Sequence, residues 1–250
     1  MKIPIVIPLL FSAILLQGQN QFDSEGRRTG PWKVEYPEGG TLYEATFREG
    51  RPVGLMTRYY PSGEIKAKVL FSSGSNRNFT ELFYQNGTRA AAGVFEGEQK
   101  DSVWTYYSEQ DGSLRLKESY CLGKLHGKVR HYYSGGQISE ELGWKEGLKE
   151  GSWIQYYEDG KLRLKASYLN NELHGPYAVY QPDGDPVVRG DYLHGMTHGW
   201  WSYYDENGSL ADSLEFISNR AVDQKKYKRL MTEDSLLNKI PDEKPSTFLD

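Results

Sequence analysis

The chain has 250 residues, of which 38% are hydrophobic and 14% aromatic, and a formal net charge of −4. That acidic balance lacks the broad positive field that neutralises nucleic-acid phosphates or anionic lipid headgroups, so nucleic acid is excluded as a partner and a membrane surface is disfavoured. Cys121 is the only cysteine, which rules out an internal disulfide framework and a multi-cysteine metal site.

Residues 1–18 have the pattern of a signal peptide. Lys2 supplies the positive start, the apolar run from Ile3 to Leu16 is short for a bilayer span, and small Gly18 precedes Gln19. Pro4 and Pro8 interrupt the run, which favours cleavage over a retained anchor. The expected destination is periplasmic or secreted, and no cysteine adjoins the segment to carry a lipid. Residues 19–29 form an N-terminal linker.

From Gly30 to Ala221 the sequence repeats with a period of about 24 residues. Its clearest copy starts at Gly151 and continues through Trp153, Ile154, Tyr156, Tyr157, Asp159, Gly160, Leu162, Leu164, Ala166 and Tyr168. Phased on the second member of the Tyr-Tyr pair, the starts fall at Gly30, Gly54, Asn78, Asp101, Gly127, Gly151, Gly175 and His198, so about eight copies fit. Each copy holds two strand-like halves joined by turn residues: Ser62-Gly63, Asn86-Gly87, Asp111-Gly112, Gly135-Gly136, Asp159-Gly160, Asp183-Gly184 and Asn207-Gly208. These pairs predict type I′ hairpin turns. In the second strand Leu162, Leu164, Ala166 and Tyr168 alternate with Arg163 and Lys165, which predicts one apolar face. In the first strand Trp153 and Tyr157 are expected on one face, with Ile154 and Tyr156 on the other. A second turn, as in Leu169 to Gly175, leads into the next hairpin. The predicted fold is all-β, an elongated single-layer antiparallel meander of about eight tandem β-hairpins, stabilised cooperatively between neighbours.

The recurring order of Gly, Trp, Tyr-Tyr, turn Gly and Leu-rich strand resembles the MORN-repeat variant found in bacteria, over about Gly30 to Ala221. The resemblance implies an interaction scaffold without catalysis; some relatives are labelled antitoxins, a cytoplasmic role at odds with the export signal. Ser72 to Asn78 reads as a polar loop that interrupts the array. After Ala221 the pattern becomes helical: Tyr227, Leu230, Met231 and Leu237 make a partial stripe over 222–240, ended by Pro241. A helix there would cap the open sheet edge, and 241–250 reads as a disordered tail.

Motifs for chemistry are sparse. His126, His174, His194 and His198 recur beside glycines, and turn structure accounts for them better than a metal does. There is no nucleophile elbow and no phosphate loop, so neither enzymatic activity nor a cofactor is expected. The glycosylation-type triplets at Asn78, Asn86 and Asn207 include two Asn-Gly turns, which is the simpler reading of both. The aromatic rows are the candidate partner-binding residues: Trp32, Trp104, Trp153 and Trp200, with Tyr60, Tyr107, Tyr133, Tyr157 and Tyr204 beside them. The sequence thus predicts an exported scaffold for an unidentified protein partner in the cell envelope, with a cell-wall or glycan-binding aromatic module as the alternative.

Overall fold

A computed structural model describes residues 18–72 and 74–232. Nearly all of the signal segment, the end of the expected helix and the 241–250 tail lie outside the described residues. The described chain is almost entirely β and divides into two compact units, Met1–Ser75 and Asn76–Asp250. Their boundary falls in the polar loop expected to interrupt the array.

The first unit contains β1 (Gln21–Phe22), β2 (Arg28–Glu35), β3 (Thr41–Arg48), β4 (Arg51–Tyr59) and β5 (Ile65–Phe71). Each pairs antiparallel with the next in sequence. The second unit continues the pattern with β6 (Arg77–Phe83), β7 (Arg89–Glu96), β8 (Gln99–Tyr107), β9 (Leu114–Cys121), β10 (Lys124–Leu125), β11 (Gly127–Tyr132), β12 (Ile138–Lys145) and β13 (Leu148–Tyr156). It ends with β14 (Leu162–Leu169), β15 (Glu172–Leu173), β16 (Gly175–Tyr180), β17 (Pro186–Leu193), β18 (Met196–Tyr204), β19 (Leu210–Ile217), β20 (Arg220–Ala221) and helix α1 (Gln224–Thr232). Successive antiparallel pairings make this unit an open meander, as the repeat predicted.

The alternation in the second strand holds. In β14, Leu164, Ala166 and Tyr168 are buried while Lys165 is exposed. In the first strand it does not run through the aromatic pair, because a register shift between Gln155 and Tyr156 recurs at the same point of every hairpin, for example between Tyr203 and Tyr204. A bulge re-aims the side chains that follow it, so Trp153 and Tyr157 are not related by simple alternation.

The hairpin loops are not the type I′ turns expected there. At Tyr60-Pro61-Ser62-Gly63 the Gly63 N–H donates to Tyr60 O and the Tyr60 N–H to Glu64 O, and only Gly63 has positive φ. This is a three-residue loop, a type I turn closed by a left-handed glycine, and Pro61 has the φ that its first corner needs. The type I′ turns lie between hairpins instead. Glu49-Gly50, Leu122-Gly123, Glu146-Gly147, Asn170-Asn171, His194-Gly195 and Ser218-Asn219 each have positive φ at both residues. Each tip also reaches back one repeat: the N–H of Gly147 donates to Leu125 O, Asn171 to Lys149 O and Gly195 to Leu173 O.

The repeat phase shifts at two copies. Positive φ marks the strand start at Gly30, Gly54, Gly127, Gly151, Gly175 and Gly199, and Ser102 adopts it with φ 58°. Starts at Ser102 and Gly199 therefore replace Asp101 and His198. The extra residue between copies four and five sits in a longer loop, where the Gly112 N–H donates to Ser108 O.

A ninth hairpin begins and is abandoned. Ile217 pairs with Arg220 across a type I′ turn, and the Val222 N–H donates to Glu215 O as His174 does to Ser167 O. Where earlier repeats then place a glycine, Asp223 accepts from the Lys226 N–H through Oδ1 at 2.9 Å and caps α1. Leu230 and Tyr227 join the core, and Asp212 on β19 pairs with Lys226 and Arg229. The helix thus covers the last strand, as expected for an edge cap.

Candidate interaction surface

The placement of the tryptophans decides what remains for a partner. Trp32, Trp104, Trp153 and Trp201 occupy the same repeat position and are 8%, 1%, 0% and 2% exposed. Met56, Thr80, Val129 and Tyr177 fill that position in the other copies. This row is core. Trp200 belongs to a different row and is 61% exposed. Its assignment to the recurring row came from phasing on the Tyr-Tyr pair, which in copies four and eight lies one residue nearer the tryptophan.

The tyrosines divide in the same way. Tyr60, Tyr133 and Tyr157 open the three-residue loops, whereas Tyr107 and Tyr204 sit one position earlier, at the strand ends. The loop tyrosines tie repeats together. Tyr36 donates its phenol to Tyr59 O at 2.7 Å, Tyr84 to Tyr107 O at 3.1 Å, Tyr133 to Tyr156 O at 2.8 Å and Tyr157 to Tyr180 O at 2.7 Å. Gln181 makes the equivalent bond from its amide to Asp205 O at 3.2 Å. Cations cover several of the strand-end rings, with Arg189 over both Tyr180 and Tyr204 and Arg89 over Tyr107.

A buried polar cluster interrupts the apolar core at Glu140, whose carboxylate accepts from the Trp153 indole at 2.6 Å and the Gln155 amide at 3.1 Å. His131 Nε2 lies 3.8 Å from the same carboxylate. Burial pushes the His131 imidazole below its usual range, against the opposing pull of Glu140 and Glu118. Gln155 passes the chain outward by accepting from Arg163 at 2.9 Å. Burial, with the charge of Glu140 adding to it, pushes the nearby Tyr168 phenol up to about 12. Sequence reading missed this cluster, since Glu140 and His131 look like ordinary strand polar residues.

Two surface features remain. One is apolar: Leu169, Leu193 and Ile217 stand 24 residues apart, each just before a type I′ turn, and are 37%, 40% and 58% exposed. Trp200 pairs with Glu215, whose carbonyl accepts from Val222, and Val222 is 56% exposed, so the apolar surface extends across these last strands. The other is a cavity of about 280 Å³ at the loop end of copies six to eight, lined by Tyr157, Arg163, Gln181, Tyr204 and Asp205 among others. The histidines sit at the opposite hairpin ends. His126 meets Glu146 at 3.2 Å and His194 meets Glu172 at 3.4 Å, while the His174 and His194 rings stack edge-on. Among the described residues no group of three His, Cys, Asp or Glu side chains is placed to hold a metal. Cys121 is exposed at a hairpin tip.

The family model of the MORN repeat variant matches the chain at residues 52–72, 125–146 and 149–170. Those segments run from the end of one hairpin through a whole strand–turn–strand unit, which is the unit seen in the fold. No curated protein matches the chain.

Proposed function

We propose that the chain is an exported, non-catalytic scaffold that binds another protein in the cell envelope through the exposed side of its last repeats. The MORN-variant match makes it similar to a family of interaction repeats. The observation that carries the reading is the apolar surface of Leu193, Ile217, Val222 and Trp200, left uncovered in a unit that buries four other aromatics at the core position. Tryptophan at such a place is the side chain most often found to dominate an interface. The buried Trp32, Trp104 and Trp153 act in this reading as supports that keep the strands in register, with Tyr133 and Tyr157 linking the repeats. The lysine and apolar run at the start of the chain support export.

The test is photo-crosslinking from position 200 in native cells, followed by mass identification of the attached species. One protein should be recovered repeatedly and lost with Ile217→Ser. Equal yields from the variant would count against the surface. Mass measurement of the mature chain should also show that the first 18 residues have been removed.

A further inference from the structure

We propose that the cavity at the loop end of copies six to eight is a binding site for a neutral sugar ring, a role separate from the protein-binding surface at the opposite hairpin ends. The cavity arises from a break in the tyrosine ladder. At Tyr36, Tyr84, Tyr133 and Tyr157, where the loop opens with tyrosine, the phenol reaches across to the next repeat and its hydroxyl donates to that repeat's carbonyl. The next two ladder positions are Gln181 and Asp205. Gln181 preserves the hydrogen bond to the following repeat but carries no ring. The space thus vacated is the cavity, and three successive ladder positions, Tyr157, Gln181 and Asp205, form its wall.

Its chemistry is mixed in a way that selects the ligand. Tyr180, Tyr204 and Pro182 contribute flat apolar surface. Arg163 contributes a guanidinium, which the Gln155 side chain anchors at 2.9 Å and Glu140 anchors in turn through Gln155. Asp205 and Glu206 contribute carboxylates, of which Asp205 Oδ1 already accepts from the Asn207 and Ser209 N–H groups at 2.9 Å each. An anion would meet two carboxylates and carries an electrostatic penalty, whereas for a cation Arg163 offsets part of the carboxylates' attraction. A neutral ring with hydroxyls around its rim and C–H groups on its face can accept from Arg163, donate to Asp205 and Glu206, and lie on the tyrosine and proline surfaces. The volume of about 280 Å³ lies just below the roughly 300–1,000 Å³ of drug-sized sites, which suits one ring of a longer glycan.

The experiment uses the full chain and a panel of glucose, galactose, N-acetylglucosamine and the β-1,4 disaccharides of glucose and of N-acetylglucosamine, read by saturation-transfer NMR and calorimetry. At least one should bind with a dissociation constant below about 10 mM. Gln181→Tyr restores the ladder residue and fills the cavity. It should weaken that sugar at least about tenfold while leaving the melting temperature unchanged or higher. Arg163→Ala should also weaken binding about tenfold, and Glu206→Gln, on an exposed loop where folding is not at risk, about threefold. Failure of every sugar to bind, undiminished binding by Gln181→Tyr, or tighter binding of N-acetyl-arginine amide or acetate than of any sugar would each overturn the proposal.

Discussion

Trp104 and Trp201 sit opposite Gly93 and Gly190, whereas Trp153 sits opposite Leu142, and this one difference changes how the indole is held. A β-carbon built on Gly93 or Gly190 would lie inside the contact distance of three indole carbons, so the ring rests directly on the glycine backbone. From there the indole N–H reaches the next main-chain carbonyl, Val94 O at 2.9 Å for Trp104 and Asp191 O at 3.2 Å for Trp201. Leu142 fills that seat beside Trp153, and the N–H goes to the buried Glu140 carboxylate instead. A single-layer sheet has no second layer to seal it. It can seat an aromatic against bare backbone, or it must supply a polar partner from a side chain, at the cost of burying a carboxylate.

Taking the seat away tests the comparison most directly. Gly190→Ala is expected to lose about 3 kcal/mol in urea unfolding, because the methyl displaces a close-packed ring. Gly93→Ala should behave alike. The first unit shows how such a methyl is tolerated: Ala45 holds the equivalent place, and the facing residue is Met56, whose flexible side chain adapts. Gly190→Ala combined with Trp201→Met should therefore be more stable than the sum of the single losses by about 1 kcal/mol or more. Additive losses would show that the ring does not rest on the glycine.

The period, the meander and the capping helix were legible because they depend on residue types at fixed intervals: turn glycines, alternating leucines, and Tyr227 with Leu230 among cations. Phase was legible only where the Tyr-Tyr pair keeps its distance from the tryptophan. Trp104 and Trp201 are followed by Tyr106-Tyr107 and Tyr203-Tyr204, one residue closer than Tyr156-Tyr157 is to Trp153, and core packing follows the tryptophan. Turn type was misread because Asn-Gly and Asp-Gly serve both as a two-residue turn and as the end of a three-residue loop. Gln181 stands in the sequence where Tyr133 and Tyr157 stand in earlier copies, but that a missing ring matters there is visible only once the tyrosine phenols are seen to bridge repeats.

The Glu140 arrangement should break more gently. Glu140→Ala orphans the Trp153 indole and the Gln155 amide and should cost about 2 kcal/mol, while Glu140→Gln keeps an acceptor and should cost less than half as much. Equal costs would mean that the carboxylate charge, not hydrogen bonding, matters there. The same cluster sets a pH response. The folded chain holds the His131 imidazole below its ordinary value of 6.5, so the unfolded chain binds the proton first as pH falls. Stability from this group is complete above the ordinary value and is lost as pH drops from about 6.5 toward the lowered one. His131→Gln should flatten the fall in melting temperature between about pH 7 and pH 5. An unchanged slope would assign the response to other groups.

The smallest expected effect separates the two adjacent tryptophans. Trp201→Ala removes a fully packed ring and should cost about 4 kcal/mol, whereas Trp200→Ala removes one that is 61% exposed and should change stability by no more than about 0.5 kcal/mol. Thermal and urea unfolding of both variants measure the difference directly. A stability-neutral Trp200→Ala that also abolishes crosslinking from the neighbouring Ile217 would assign that indole to recognition. A large stability loss would place it among the supports, and the exposed surface would then rest on Leu193, Ile217 and Val222 alone.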